Sequence, residues 1–372
     1  MPIDFNDPQQ RAVALDNEKH ILRIKDEAKR AVIAERSATK TPPELLTLRQ
    51  RLARPRAPVV WRIQQLQAVG HRVLLAAQFK AGKTTLSANV ARSVLDGDAF
   101  LATYDVTAID GVLVLLDFEM SPNQLDDWYR EQQIENDDRL LVIPMRGAAS
   151  SFNIIDPEAR SYWVELLKAK GVKYLILDCL RPVLDALGLN EHTEAGLFLT
   201  AFDALLREAD IPEALVIQHM GHKNERARGD SRLLDWPDVG WTLVRESEDD
   251  PASPRFFKAF GRDVDVPETQ LAYNPTTRRL AVEGGGSRAD AGVAAALTAI
   301  YQFVEHAEKP PSGRQIEEAV KSLNHTQKNI RTALRDGVTR GVLLSEPGKN
   351  GGLAYRIAVS APEPGFLDSV AL

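Results

Sequence analysis

Residues 73–85 read VLLAAQFKAGKTT, and the fold class turns on this stretch. Val73–Ala76 is a continuous apolar run of strand length. The next eight residues, Ala77-Gln78-Phe79-Lys80-Ala81-Gly82-Lys83-Thr84, match the phosphate-loop pattern G-x-x-x-x-G-K-[ST] except at the first position, where alanine replaces glycine. Beyond it Leu86, Val90 and Val94 recur every four residues, which predicts a helix with one apolar face. Strand, loop and helix in this order present backbone N–H groups and a helix N-terminus to a phosphate. The expected ATP contacts are residues 77–85, ending at Thr85, with Lys83 pairing the β- and γ-phosphates. The Thr84 hydroxyl is expected to ligate Mg²⁺, a hard cation that keeps most of its water shell. Alanine at position 77 is acceptable only where φ is negative. Lys83 is expected to face solvent when no ligand is bound.

Outward from this stretch, Val112–Leu116, Leu140–Pro144, Tyr174–Leu177 and Ala214–Ile217 are further continuous apolar runs. Such runs suit strands buried on both faces of a parallel sheet. Helical signals separate them. Asp156 and Pro157 supply a cap and first turn, Trp163, Leu166 and Leu167 an apolar face, and Gly171 a stop. Leu197, Ala201 and Leu205 recur every four residues in the next helix. The expected class is α/β: a P-loop NTPase core with helices on both faces of a mainly parallel sheet.

Polar residues at the strand ends carry the chemistry. Asp178 closes YLILD and is expected to hold the Mg²⁺ water shell; a plain surface carboxylate is the alternative. Glu119, in LLDFEM, is expected to orient and deprotonate the attacking water, with Asp117 as rival. His219 follows ALVIQ and, with Gln218, would contact the γ-phosphate, unless it is a satisfied core histidine. A zinc site from His219 and His222 lacks ligands, since Cys179 is the single cysteine.

With 372 residues the chain should hold two or three domains. The expected divisions are a basic helical segment and linker (1–57), the ATPase domain (58–283), a smaller domain (288–360) and a flexible tail (361–372). Residues 19–56 carry eleven Lys or Arg against four Asp or Glu. They read as a helix from about Glu18 to Glu35, then an extended linker; the helix is a solvated face or a contact for DNA or a neighbouring subunit. After Gly284–Ser287, helical periods at Val293–Val304, after Ser312 and at Ile330–Val338, then a hairpin pattern, give the winged-helix order. Lys328, Arg331 and Arg335 fall on one face of the third helix, and Lys349 in the wing. They fit duplex DNA, although many winged helices pack on protein. The net charge of −6 means that any nucleic-acid contact must come from such a local patch. One cysteine, no signal peptide and no apolar run of about 20 residues suit a cytoplasmic protein without a membrane partner.

Four longer segments carry a family resemblance: LLDFEMSPNQL (115–125), LDCLRPVLDALGLNEH (177–192), QHMGHKNERARGDSRLLDWPDVGW (218–241) and FKAFGRDVDVPE (257–268). Together with the phosphate loop they resemble the RecA-like replicative helicases over about residues 58–280. The likeness is strongest to plasmid RepA helicases and weaker to DnaB and KaiC proteins. The same run also looks like an AAA-family ATPase group of actinobacterial mobile elements. The resemblance favours Glu119 over Asp117 as the catalytic glutamate. It marks His219 as a sensor and Arg228 as part of the loop beyond it. It places Arg262, with Lys258, where DnaB-like proteins reach the neighbouring subunit. The expected RepA arginine-finger position is Gly240, a departure that puts the source of the finger in doubt. What the resemblance implies is an ATP- and Mg²⁺-dependent, hexamer-like homo-oligomeric motor or helicase in mobile-element or phage DNA replication, with single-stranded DNA at the ring and duplex at the winged helix. An ATP-dependent regulator or loader without unwinding activity shares the same site, and a nonenzymatic DNA-binding module is the remaining alternative.

Overall fold

The computed structural model describes residues 7–38, 44–55, 58–221, 231–246, 250, 253–284, 286–323, 325–348 and 352–358. The chain divides into two units, Met1–Pro58 and Val59–Leu372. The first holds α1 (Pro8–Ala38) and α2 (Leu48–Leu52). Helix α1 starts ten residues before the expected Glu18. The start is the Asp7-Pro8 pair: the Asp7 carboxylate accepts the Gln9 amide at 2.9 Å, and proline is tolerated in a first turn where its missing N–H has no partner to lose. Helix α2 interrupts the stretch expected to be extended, because Thr47 and Gln50 form a reciprocal capping box.

The second unit opens with a short antiparallel pair, β1 (Trp61–Ile63) and β2 (Gln67–Ala68). There follow β3 (Arg72–Ala77), α3 (Lys83–Asp96), β4 (Val112–Asp117), α4 (Pro122–Gln132), β5 (Leu140–Pro144), α5 (Pro157–Ala169), β6 (Val172–Asp178), α6 (Leu180–Ala186), α7 (Ala195–Glu208) and β7 (Glu213–His219). Then come α8 (Arg232–Asp235), β8 (Val239–Arg245), β9 (Arg255–Gly261), β10 (Asp265–Asn274) and β11 (Arg279–Val282). Each apolar run read from the sequence lies inside one strand. The sheet order is β11-β10-β9-β8-β3-β7-β6-β4-β5. Pairing is parallel from β8 through β3, β7, β6 and β4 to β5, and antiparallel from β8 out to β11.

Both faces of the parallel part are covered. Alternate strand residues meet Leu86, Val90 and Val94 of α3 on one side. On the other they meet Trp163 and Leu167 of α5, Val183 of α6, and Phe198, Phe202 and Leu205 of α7. This double burial is why the strands read as unbroken apolar runs. Helix α5 begins and ends as expected: Asp156 accepts the amides of Glu158 and Ala159, and Gly171 takes a φ of +66° just past the end. In α7 the expected Leu197 position is off the stripe. It is 58% exposed, and Phe198 is buried in its place, stacked on Phe202 with ring centroids 6.0 Å apart. One part of the segment 218–241 is structural. Arg72 joins Asp203 and Asp238 and lies over Trp236, so the Trp-Pro-Asp triplet ties the loop after β7 to the start of β3.

Residues 288–358 form α9 (Arg288–Glu305), α10 (Gly313–Lys321), α11 (Gln327–Thr339) and the hairpin β12 (Leu343–Pro347) and β13 (Leu353–Ile357). They surround their own apolar cluster, in which Leu297, Ile300, Ile316, Ile330, Leu334 and Leu343 are buried. The element order is the one the sequence predicted, including the Ser312–Gln315 capping box. Arg288, at the first turn of α9, is anchored to Glu268 of β10 at 2.7 Å.

Candidate active site

Parallel pairing brings the C-terminal ends of β3, β4, β6 and β7 to one edge of the sheet. In register, Ala77 stands beside His219 and Asp117 beside Asp178. Residues read from four separate motifs therefore meet above a single crevice, the usual location for ligands in open α/β sheets.

Ala77 ends β3 as extended backbone paired with both His219 and Leu243, so the missing glycine carries no strain. The loop turns instead at Lys80 (φ 58°) and Gly82 (φ 106°). It is pinned from the neighbouring strands. Gln78 donates its amide to the Leu243 carbonyl (3.1 Å) and accepts the Arg245 amide at its side-chain oxygen (2.8 Å). The Arg255 Nε donates to the Ala81 carbonyl at 3.1 Å. Phe79 is exposed, and Thr85 is buried in the first turn of α3.

The Lys83 ammonium lies against the Glu119 carboxylate and 3.2 Å from His219 Nε2, which is itself 3.0 Å from Glu119. This corrects the expectation of a solvent-facing lysine. Its side chain is only 15% exposed, since a cation withdrawn from water takes the nearest carboxylate as counter-ion. Desolvation alone would lower the Lys83 pKa, but the charges of Asp178 and Glu119 outweigh it and hold the group above its ordinary value. Burial likewise opposes ionisation of Glu119, yet hydrogen bonds from His219 and Lys83 win and hold it down at about 2.

The geometry separates Glu119 from its rival. Asp117 is fully buried, and its Oδ1 accepts the amides of Glu119 (2.9 Å) and Met120 (2.7 Å). It orders the turn that carries Glu119, whereas the Glu119 carboxylate itself reaches Lys83 and His219. This amide-locking role was not read from the sequence, where two carboxylates at a strand end look alike.

Thr84 stands beside Asp178, as does Ser87, whose hydroxyl lies 3.4 Å from Asp178 Oδ2. Asp178 Oδ1 and Asp117 Oδ2 are buried oxygens without a hydrogen-bond partner. Burial, and then the neighbouring Asp117, push Asp178 up to about 7. A hydroxyl and two orphaned carboxylate oxygens are a hard donor set, and they fit Mg²⁺ with its water shell. Glu119, Cys179 and His219 also approach one another within 4.8 Å. That trio fits a metal poorly. The Lys83 ammonium already occupies Glu119 and His219, and burial pushes the Cys179 thiol far up, away from the thiolate a metal needs.

Other expected residues lie elsewhere. Arg262 follows β9, which runs antiparallel to β8: Gly261 pairs with Val239 at the start of β8, while the phosphate-loop strand ends beside Leu243. Gly261, the residue before Arg262, therefore lies about 13 Å along the sheet from the end of the phosphate-loop strand, four residues of β8 at about 3.3 Å each, and on the side away from the loop. With Lys258 and Gly240 it lines a groove of about 760 Å³. A Cβ at Gly240 would meet the tip of the exposed Phe260 ring at 2.9 Å, so a side chain here would require that ring to shift. On α11, Lys328, Arg331 and Arg335 are exposed on one face, and Arg331 is paired with Glu317 at 2.8 Å. Arg228, His222 and Lys349 lie outside the described residues.

The family model described as an AAA domain matches residues 34–225, which include the phosphate loop, Glu119, Asp178 and His219. Among solved structures, the chain is similar to the crystal structure of a KaiC-like protein from the hyperthermophilic archaeon Pyrococcus horikoshii OT3. The two share 15% sequence identity, with a TM-score of 0.43, over 58% of this chain and 90% of that one. No curated protein matches the sequence. Among the described residues no helix is long and apolar enough to cross a membrane.

Proposed function

This chain belongs to the AAA domain family, with a RecA-like P-loop ATPase core, and from that premise we propose that it is an oligomeric, DNA-associated ATP-hydrolysing motor, a helicase of RepA type. The observation that carries the hydrolytic part is the contact of Lys83, Glu119 and His219 at one sheet edge, beside Thr84 and Asp178. ATP would enter with its phosphates in the loop at 77–85 and draw Lys83 away from Glu119. Glu119 then loses the cation that holds its pKa low and becomes a better base for the attacking water. His219, hydrogen-bonded to the same carboxylate, would register departure of the γ-phosphate and pass it to the loop that follows β7. Asp178 and Thr84 would hold Mg²⁺, which supplies charge neutralisation on the phosphate oxygens. Measuring ATP turnover with and without single-stranded DNA, and unwinding of a forked duplex, tests the whole reading. Turnover without strand separation would favour the regulator or loader, and no turnover would remove the enzyme.

Arg262 cannot serve its own site at the distance given by β8, so in this reading it serves a neighbour's, with Lys258 beside it in the groove. Arg262→Ala is expected to lower turnover about tenfold to a hundredfold, the loss of one charge-assisted contact. Mixing it with Glu119→Gln protein should restore part of the activity, since one interface of a mixed ring then holds both intact residues. Light scattering that finds a strict monomer with ATP and DNA would overturn this.

Residues 288–360 are proposed to be a winged helix that binds duplex DNA through Lys328, Arg331 and Arg335. Support comes from their exposure on the face of α11 opposite Ile330 and Leu334. The ion pair of Arg331 with Glu317 weakens that face by one charge. Fluorescence anisotropy of the full chain on a labelled duplex should report affinity that falls with salt. For Lys328→Ala plus Arg331→Ala the salt slope should be shallower by about two. An unchanged slope would assign this segment to a protein contact.

A further inference from the structure

Two arginines face each other beside the phosphate loop, and no step above uses them. Arg245 ends β8 and Arg255 begins β9, and they are direct partners across that antiparallel pair. Leu243 and Phe257, two residues further along each strand, belong to the core cluster that includes α3. By strand alternation both arginine side chains leave the sheet on the face that carries the phosphate loop. Like charges placed directly opposite on one sheet face are destabilising. Burial aggravates the conflict: Arg245 is only 8% exposed and its Nε is buried with no hydrogen-bond partner. Burial first, then the Arg245 charge, push the Arg255 guanidinium below its ordinary value, opposed among the described residues only by Tyr273.

Arg255 is nevertheless held in place. Its Nε donates to the Ala81 carbonyl at 3.1 Å and would lie 3.5 Å from a Cβ on Gly82, and its guanidinium carbon is 4.9 Å from the centre of the Tyr273 ring. Among the described residues, the two terminal nitrogens of the guanidinium make no hydrogen bond. Arg255 thus stands one residue from the glycine before Lys83, directly opposite Arg245, and among the described residues neither guanidinium has a carboxylate partner, an arrangement that favours an anion. The anion that the adjoining loop itself brings there is a polyphosphate.

We propose that Arg255, backed by Arg245, is an intramolecular clamp on the polyphosphate of the nucleotide held in the phosphate loop. This rests on the nucleotide-site reading above. It supplies a cation from the same chain, in contrast to Arg262, which lies at the opposite sheet edge.

The test is isothermal titration of the full-length protein with MgATP and, separately, with magnesium and inorganic tripolyphosphate. Wild type, Arg255→Gln, Arg255→Lys and Arg245→Gln are compared. Arg255→Gln should weaken both ligands about tenfold or more, the value of a charge-assisted contact, and Arg255→Lys should retain part of the affinity. Arg245→Gln should weaken both less, since its support is indirect. The ligand-free unfolding temperature of Arg255→Gln should not fall, because a like-charge pair has been removed. Affinity for both ligands within twofold of wild type would overturn the clamp. Loss for MgATP alone would assign Arg255 to the nucleoside, and loss with a lowered ligand-free unfolding temperature would make it a brace for the loop; each overturns the proposal. A wild-type protein that binds neither ligand overturns the nucleotide-site reading, and this inference with it.

Discussion

Lys83→Ala is expected to reduce ATP hydrolysis to background, a loss of at least about a hundredfold to a thousandfold, the scale for removing one preorganised charge-stabilising donor. Lys83 is the first side chain of α3 and the cation nearest both Glu119 and His219. Without it the loop keeps its backbone N–H groups but has no charge to spread over the β- and γ-phosphates. The fold should survive. The pair being broken is partly exposed, and Glu119 keeps its hydrogen bond to His219. Steady-state phosphate release, beside a thermal melt, checks both halves. Turnover near wild type would remove Lys83 from the phosphate site.

Glu119→Gln should leave ATP affinity unchanged or raise it, and lower turnover by about a hundredfold to ten-thousandfold, the range of general-base catalysis. The unchanged or higher affinity follows from the ligand-free contacts. The glutamate neutralises Lys83 before nucleotide arrives, so its loss leaves the ammonium free for phosphate. Asp117→Asn is the control. An amide oxygen can still accept the Glu119 and Met120 amides, so the turn should survive and the loss should be smaller than for Glu119→Gln, limited to the Mg²⁺-facing oxygen that the amide removes. A large loss for Asp117→Asn with little for Glu119→Gln would reverse the two roles. A pH signature accompanies the substitution. Glu119 has its pKa depressed from 4.5 to about 2 in the folded protein. Its contribution to stability is therefore present above pH 4.5 and is lost as pH falls toward 2. The melting difference between wild type and Glu119→Gln should shrink across that window.

Much of the sheet and its edge chemistry was legible because local signals agreed. VLLA ahead of AGKT, YLIL before Asp178 and ALVI before Gln218 and His219 are each apolar runs followed by polar residues, and double burial leaves few other readings for such runs. The sequence misled or stayed silent where the deciding interaction is not local in pattern. Leu197 fits a four-residue spacing as well as Phe198 does, and only packing against the sheet selects the phenylalanine stripe. Arg262 follows a plausible strand, but nothing in FKAFGR tells which way that strand runs, and its antiparallel direction moves the arginine to the far edge of the sheet. Arg255 had no motif at all; its importance arises from lying opposite Arg245 and beside Ala81.

The amino-acid sequence by itself determined that a loop of phosphate-binding pattern joins a buried strand to a helix within residues 73–94. It also determined which polar residues close the neighbouring strands and that three helices and a hairpin follow residue 287. These properties depend on hydrophobic period, capping and glycine placement, which act over a few residues. The tertiary structure alone decided that Lys83 is neutralised by Glu119 and lies against His219, and that Asp117 serves the turn while the Glu119 carboxylate reaches Lys83 and His219. It alone set Arg255 against the loop and opposite Arg245, with no carboxylate partner among the described residues. Each of these depends on which strands become neighbours and in which direction they run, and on how burial weights one charge against another, and no single segment of the chain carries that information.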